Sequence, residues 1–332
     1  MILVTGGTGL LGSHLLLQLV RDGQRVRAIH RKDSDLERVE RVFGFYGDGG
    51  LFQKIEWVEA DITELPALEI AFEGITHVYH AAALISFDPG DYKKLQKINA
   101  EGTANIANLC IHHRVQKLCY ASTIGAIGKR LDGNKASEDT DWTPGEANVY
   151  GLSKHTAEME VWRASQEGVP VTIVNPGVII GPGFWESGSG ALFTTAQKTY
   201  GFYPPGGTGF ISVHDVVDMM IALMESDIRN ERYIAIAENW SYQKILTEIT
   251  RELGLKPPRR KLEFWQLEIG RWFDWFGNLL FNNGRTITKS HIRSLRHRQI
   301  FDNSKVQEHL DFEFRPLMEE IRFCCSKFKE RA

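Results

Sequence analysis

The chain has 332 residues, 42% of them hydrophobic and 24% charged, with a formal net charge of -3. This is the composition of a globular protein with one large domain or two modest ones. A balance so near neutrality excludes a general binder of nucleic acid or of membrane surfaces, so any charge argument must be local. Cys110, Cys119, Cys324 and Cys325 include no C-x-x-C spacing, and no paired histidine cluster accompanies them; His112 and His113 are adjacent and would point in different directions on a helix. The thiols read as reduced, in a cytoplasmic protein without a metal site.

The elements come in a regular order. Ile2–Val4 is a short apolar run, followed by a glycine-rich turn and an amphipathic stretch from Leu10 to Val20: strand, turn, helix. Met1 to Val20 lacks Asp, Glu, Lys and Arg, yet it has no basic leader, and glycines at 6, 7, 9 and 12 interrupt it, so it does not read as a signal peptide. Further strands are expected at Val26–His30, Ile55–Val58, His77–Ala81, Lys117–Ala121 and Val171–Val174, with helical patterns such as Tyr92–His112 and Tyr150–Gln166 between them. Strands and helices alternating at this interval imply repeated βαβ units and a parallel sheet covered on both faces. Val169–Trp185 is free of charge but broken by Pro170, Pro176 and Pro182, a poor membrane span. After Pro176 the chain is loop-rich to about 210, then Phe210–Met224 reads as strand and helix and Glu231–Ala237 as another strand. From Pro257 onward it is helical and aromatic. The expected organisation is a doubly wound α/β domain over 1–176 plus about 210–230, with a smaller, mostly helical substrate domain from about 177–209 and 231–332.

Thr5-Gly6-Gly7-Thr8-Gly9-Leu10-Leu11-Gly12 lies between the first strand and the first helix. Glycine suits a turn of positive φ and a close backbone approach to a ligand. The helix start offers free N–H groups and a positive dipole end to a pyrophosphate. Both Gly6, Gly9, Gly12 and Gly7, Gly9, Gly12 have fitting spacings, the latter matching G-x-G-x-x-G in its proper strand-to-helix context. The second strand ends in His30-Arg31-Lys32 rather than an acid, which suits a 2′-phosphate and predicts NADP(H) in preference to NAD(H), with Asp33 and Asp35 nearby as opposing signals.

Tyr150 and Lys154 are four residues apart, on one face of a helix. A fixed ammonium favours phenolate, so the spacing suggests a phenol tuned for proton transfer to or from a carbonyl or alcohol oxygen. Ser122 and Thr123 follow the strand ending at Ala121, where side chains of a parallel sheet face the ligand crevice.

Together these motifs make the chain resemble the extended short-chain dehydrogenases/reductases, the NAD-dependent epimerase/dehydratase superfamily. The resemblance extends over most of the chain: the 5–12 loop, Asp61-Ile62, His80-Ala81-Ala82-Ala83, Asn99 in Asn-x-x-Gly-Thr, Ser122-Thr123, Tyr150/Lys154, Asn175-Pro176-Gly177 and Phe210–Val216. Within that superfamily it is most similar to the dihydroflavonol-4-reductase and 3β-hydroxysteroid dehydrogenase-like branch. The resemblance implies a Rossmann fold with Tyr150 as general acid/base, Lys154 on the nicotinamide ribose and Thr123, with Ser122 beside it, as the catalytic hydroxyl. It also implies Asp61 and Ile62 at the adenine, Ala81, Ala82 and Ala83 along the cofactor, and Pro176 and Gly177 near the nicotinamide. Asn99 belongs either to the catalytic set or to the backbone scaffold.

Ile124-Gly125 follow Thr123 where sugar-nucleotide dehydratases carry Asp-Glu, and Thr208-Gly209 precede Phe210 where epimerases usually show Arg-Asp. The leading expectation is therefore NADP(H)-dependent carbonyl reduction, or the reverse alcohol oxidation, with Thr123 and Tyr150 stabilising the alkoxide. The alternatives are a sugar or sugar-nucleotide epimerase and a non-catalytic NADP(H)-binding sensor. The aromatic stretch 264–281 reads as core, as a lid over a bulky apolar substrate or as a membrane contact, with Arg259-Arg260-Lys261 adjacent. Trp185, Phe193, Phe202 and Tyr203 are further pocket candidates, which points to a hydrophobic substrate. The partner expected is a small molecule, with no nucleic acid and no integral membrane segment, bound by a monomer or homodimer.

Overall fold

The computed structural model describes residues 1–128, 130, 134–263, 265–266 and 298–331. The aromatic segment lies almost wholly outside the described residues; Trp265, within them, is exposed. Twelve strands are described: β1 (Ile2–Thr5), β2 (Val26–His30), β3 (Glu56–Glu59), β4 (His77–His80), β5 (Lys117–Ala121), β6 (Val171–Pro176), β7 (Val178–Ile180), β8 (Phe202–Tyr203), β9 (Gly207–Ser212), β10 (Glu231–Ala235), β11 (Glu238–Ser241) and β12 (Arg260–Lys261). Seven of them form one sheet in the order β10-β6-β5-β4-β1-β2-β3, every neighbouring pair parallel. This is the Rossmann-like doubly wound sheet expected. Every residue of β5 and β6 is buried, the mark of central parallel strands covered on both faces. Glu231–Ala235 joins this sheet beside β6, although the sequence reading grouped it with the smaller region.

One face packs on the helices Leu10–Arg21 and Val213–Glu225, through Leu15, Leu16, Leu19, Met219, Met220 and Leu223. The first helix is apolar nearly all round because it packs on the sheet and, at its flanks, on the second of these helices and on the helix Leu36–Phe45; each fully buried leucine contributes roughly 1.5–3 kcal/mol of transfer free energy. The other face packs on Leu65–Phe72, Gly102–His112 and Val149–Gln166 through Leu68, Phe72, Ile106, Val161 and Ala164. The expected single helix Tyr92–His112 is instead a short helix Tyr92–Leu95, a π-helical turn Gln96–Glu101 and a helix Gly102–His112.

Gly177 leads the chain out of the main sheet into a small one, in which β9 pairs parallel with β7 and antiparallel with β11. A third core forms there against the C-terminal helix Leu317–Glu330. Two pocket candidates belong to it: Trp185 and Phe193 are buried with ring centroids 5.1 and 6.0 Å from Phe328. Both pack on an aromatic partner about 140 residues away in sequence, and Trp185 also borders a cavity of about 980 Å³ with Phe45, Gly183 and Phe328. Phe202 and Tyr203 form β8, paired with Arg260 and Lys261 of the basic triplet, so those cations edge a two-stranded ribbon.

Candidate active site

The sheet order reverses at β1, whose neighbours are β2 and β4, and ligands of such sheets bind outside the carboxyl ends at that point. The 6–12 turn leaves β1 there. Gly6 has φ +71, and a β-carbon on it would lie 2.5 Å from the Ala82 nitrogen and 2.6 Å from the Ala81 carbonyl carbon. On Gly12 it would lie 2.7 Å from the Gly6 carbonyl carbon. First turn, first helix and the loop after β4 therefore meet as closely as backbones can. Gly7 is packed as well, its missing β-carbon 2.7 Å from Leu16 Cδ1. Gly9 differs: a β-carbon would meet only the Gly6 oxygen, at 3.4 Å. Gly9 is the N-cap of the first helix and no side chain caps it, so the first-turn N–H groups past Thr8, at Leu10 and Leu11, are not consumed by a cap.

Beneath the turn a buried relay ties β1 to β4. Thr5 Oγ1 and His80 Nδ1 share a 2.6 Å hydrogen bond, His80 Nε2 and Thr103 Oγ1 one of 2.9 Å, and the imidazole stacks on Tyr120 at 5.2 Å. Burial, with the nearby Lys154, lowers the His80 pKa to about 3, so the ring is neutral. Ala81 and Ala82 follow directly, partly buried; Ala83 is exposed.

At the end of β3, Asp61 Oδ1 accepts from the Thr63 nitrogen at 2.8 Å and from its hydroxyl at 2.7 Å, and Ile62 is buried against Gly102. A cavity of about 620 Å³ opens beside this turn, lined by Thr63, Pro66, Lys97 and Asn105. His30 lies edge-on to Trp57 at 5.9 Å. Arg31 is ion-paired with Asp33 at 3.4 Å, both exposed, and Lys32 is exposed beside them.

The helix bearing Tyr150 begins where Asn148 Oδ1 accepts from the Gly151 nitrogen at 2.7 Å. A β-carbon on Gly151 would lie 3.1 Å from the Gly125 carbonyl carbon, so the helix start is pressed on the turn following β5. The Tyr150 ring meets Phe87, from the loop after β4, edge-on at 5.8 Å. Asn99, in the π-helical turn, accepts from the Leu84 nitrogen at 2.7 Å and donates to the Leu84 oxygen and to Ser153 Oγ, each at 2.9 Å. It clamps the loop after β4 to the Tyr150 helix. Thr123 is partly exposed and its Oγ1 accepts from the Gly125 nitrogen at 3.1 Å, whereas Ser122 is buried and donates to Glu158. Pro176 ends β6 and the Gly177 nitrogen donates to the Ala235 oxygen at 3.0 Å.

Lys154 is 1% exposed; its Nζ donates to the Ala121 oxygen at 2.8 Å and sits 4.1 Å from the centre of the Tyr120 ring. Burial pulls its pKa down to about 7, opposed by the charge of Glu158. Burial also pushes the Tyr150 phenol above its ordinary range. Burial alone accounts for the rise at the phenol, while the Lys154 ammonium, one turn on, bonds the Ala121 oxygen and lies over the Tyr120 ring. The sequence reading missed Glu158, although its place four residues past Lys154 continues the same helical face, and it missed Phe87, an exposed apolar residue against the Tyr150 ring. It also separated His112 from His113; the second caps the helix, and both rings turn to Glu69 Oε1, at 3.6 and 3.2 Å. These three groups have ligand atoms within 4.8 Å of one another at the surface.

The model of the NAD dependent epimerase/dehydratase family matches residues 2–237. The chain belongs to that family. Its members are NAD(P)-dependent oxidoreductases and epimerases acting on CH–OH and C=O groups, so the chain is placed among enzymes. Sterol demethylase protein B of Methylococcus capsulatus is 30% identical over 264 residues, 77% of this chain and 76% of that protein. A putative dihydroflavonol 4-reductase of Synechocystis is 30% identical over 272 residues, 79% of this chain and 75% of that protein. Among solved structures, the UDP-glucose 4-epimerase of Thermotoga maritima with UDP-glucose shares the fold at 21% identity, TM-score 0.78, over 99% of both chains.

Solved structures of the same fold overturn one expectation. The Bordetella bronchiseptica enzyme WbmG, 18% identical with TM-score 0.75 over 99% of this chain and 94% of its own, holds NAD and UDP; WbmH, MoeE5 and the Thermus thermophilus UDP-glucose 4-epimerase hold NAD too. The preference for NADP(H) drawn from His30, Arg31 and Lys32 is withdrawn. The exposed Asp33 carboxylate, 3.4 Å from Arg31, offsets part of its charge and opposes a second phosphate at the same place. Among the described residues, no helix is long and apolar enough to cross a membrane.

Proposed function

We propose that this family member binds NAD across the carboxyl ends of β1 and β4 and exchanges a hydride with the carbon of a secondary alcohol whose oxygen meets Tyr150. One observation carries the reading: the glycine turn before the uncapped first helix and the Tyr150 helix both pack on the loop after β4, the turn against Ala81 and Ala82, the helix through Phe87 and Asn99. The cradle at Gly9 fits the dinucleotide, since its open side is where a pyrophosphate would approach the free N–H groups. NAD bound there would supply the hydride acceptor and, when reduced, the donor.

The protein's part is positional and protonic. Gly6, Gly9 and Gly12 shape the phosphate turn, and Asp61 and Ile62 stand at the adenine end. Tyr150 handles the proton at its Oη: it donates to the carbonyl oxygen during reduction and receives the alcohol proton during oxidation. The raised phenol favours the donor form. Thr123 offers a second hydroxyl to the same oxygen, and Lys154 is the cation one turn behind the phenol. Ser122, bonded to Glu158, serves behind the site and does not meet the substrate.

Two fates of the hydride are open to this machinery. Its return to the same carbon from the other face is epimerisation, supported by solved neighbours that hold NAD with UDP or UDP-glucose. Net transfer instead leaves with the cofactor: NADH is released when an alcohol is oxidised and consumed when a carbonyl is reduced, the two directions of the dihydroflavonol-4-reductase and 3β-hydroxysteroid dehydrogenase-like branch. One feature of the site favours this second reading: Phe87 presents a partly exposed apolar ring beside Tyr150, suited to a hydrophobic substrate. Tyr150→Phe separates chemistry from binding. With a panel of sugar nucleotides and apolar secondary alcohols, the variant is expected to bind NAD within about twofold of wild type and to lose at least about 100-fold in turnover. Nicotinamide absorbance reports net oxidation and product stereochemistry reports epimerisation. Retained turnover in either assay refutes the role of Tyr150.

A further inference from the structure

Glu158 is fully buried, on the Tyr150 helix one turn beyond Lys154. Its carboxylate gathers three strands. Ser122 Oγ, after β5, donates to Oε1; Asn175 Nδ2, in β6, donates to the same oxygen at 2.6 Å; Arg232 Nη1, in β10, stands 3.5 Å from Oε2. The Asn175 amide also donates to the Thr123 carbonyl at 3.0 Å, so the carboxylate fixes the backbone of Thr123 through one intermediary. A buried ion is a poor way to fasten three strands, because apolar residues of similar volume do so without the desolvation penalty. Its retention here coincides with a second buried charge, Lys154, four residues back on the same helix face.

We propose that Glu158 is a positioning residue of the active site, whose buried negative charge holds Lys154 in its ammonium form and whose hydrogen bonds set Thr123 against the substrate oxygen. The proposal rests on the reading of Tyr150, Lys154 and Thr123 as the reaction site. The groups facing Lys154 are Glu158 from its own helix, Tyr120 and the Ala121 carbonyl from β5, and neutral His80 from β4. Those facing Glu158 are Ser122, Asn175, Arg232 and Lys154. Glu158 alone among them supplies negative charge to the ammonium. Its pull works against burial, which takes the Lys154 pKa to about 7; burial also raises the pKa of Glu158 itself, and the hydrogen bonds from Ser122 and Asn175 with the charges of Arg232 and Lys154 oppose that rise and favour the carboxylate. Without it the lysine loses its proton at lower pH.

The test uses the full chain and a readout independent of turnover: a ¹³C NMR titration of the Lys154 ε-carbon, assigned with Lys154→Arg. Glu158→Gln keeps an acceptor for Ser122 and Asn175 and removes the charge. The expected result is a Lys154 titration displaced downward by about one pH unit, a tenfold loss of proton affinity, with the alkaline limb of the NAD-dependent rate following it. An unmoved titration in the folded variant overturns the proposal. Should Glu158→Gln fail to fold, Glu158→Asp takes its place, with a smaller shift in the same direction expected and no shift again overturning it. A displaced titration in a protein that oxidises no alcohol supports the role of Glu158 and sinks the proposed reaction. An active enzyme whose Lys154 is indifferent to Glu158 does the opposite.

Discussion

Gly9 and Gly12 are three residues apart in one turn, yet the structure gives them opposite tasks, and alanine at each separates ligand binding from folding. At Gly12 a β-carbon would lie 2.7 Å from the Gly6 carbonyl carbon and 2.8 Å from the Gly7 Cα, all backbone that cannot step aside as a side chain would. Overpacking costs about 1–3 kcal/mol even where side chains yield. Gly12→Ala should therefore lose about 3 kcal/mol in denaturant unfolding, together with its NAD binding. At Gly9 the backbone is extended (φ -97, ψ 174), open to any L-residue, and the nearest atom to a new β-carbon is 3.4 Å away. Gly9→Ala should change stability by no more than about 0.5 kcal/mol. Its methyl group points where the pyrophosphate would approach, so NAD affinity should fall at least about tenfold, equivalent to about 1.4 kcal/mol. Calorimetric titration with NAD and urea melts on both variants supply the four numbers. Wild-type NAD affinity in Gly9→Ala would refute the assignment of the turn to the dinucleotide, whatever happened to Gly12→Ala.

Phe193→Ala removes a fully buried ring from the core shared with Trp185 and Phe328 and should cost about 3–5 kcal/mol in urea unfolding, while NAD affinity stays unchanged; a change below 1 kcal/mol would return Phe193 to the pocket. Glu320, buried and bonded by Ser212 at 2.6 Å, has its pKa raised by burial from 4.5 to about 7. Between those values the folded chain keeps a proton that the unfolded chain has lost, so this group makes stability fall as pH rises through the window. Glu320→Gln keeps the acceptor for Ser212 and should be more stable than wild type at pH 8, by on the order of 2 kcal/mol, with the difference vanishing near pH 4.5. Equal melts at both pH values would show that the carboxyl titrates as it does in the unfolded chain.

The main sheet was legible because its signals are local: short β-branched runs, glycine turns and helical periodicity recur along the chain. The interruption of the Tyr92–His112 helix was not, since a single π-turn changes the apolar spacing by only one residue; the bonds that Asn99 makes from it, to Leu84 and Ser153, join segments apart in sequence. Trp185 and Phe193 illustrate the same limit. An aromatic residue in a loop-rich stretch has the same signature whether it lines a pocket or packs on a distant helix. For Lys154 the spacing gave the helical face correctly. It could not reveal the acceptor the ammonium finds, the Ala121 carbonyl, or the Tyr120 ring over which it lies. The basic cluster at 30–32 misled for an electrostatic reason: an arginine two residues before an aspartate can have part of its charge offset by that neighbour, as Arg31 has by Asp33.

The most direct measurement is a crystal structure of the chain with NAD. The account predicts the pyrophosphate against the N–H groups at the start of the first helix, over Gly9, and the nicotinamide beside Tyr150 with space between them for an alcohol carbon. A dinucleotide lodged elsewhere, or a nicotinamide turned from Tyr150 with no room for a substrate, would contradict it.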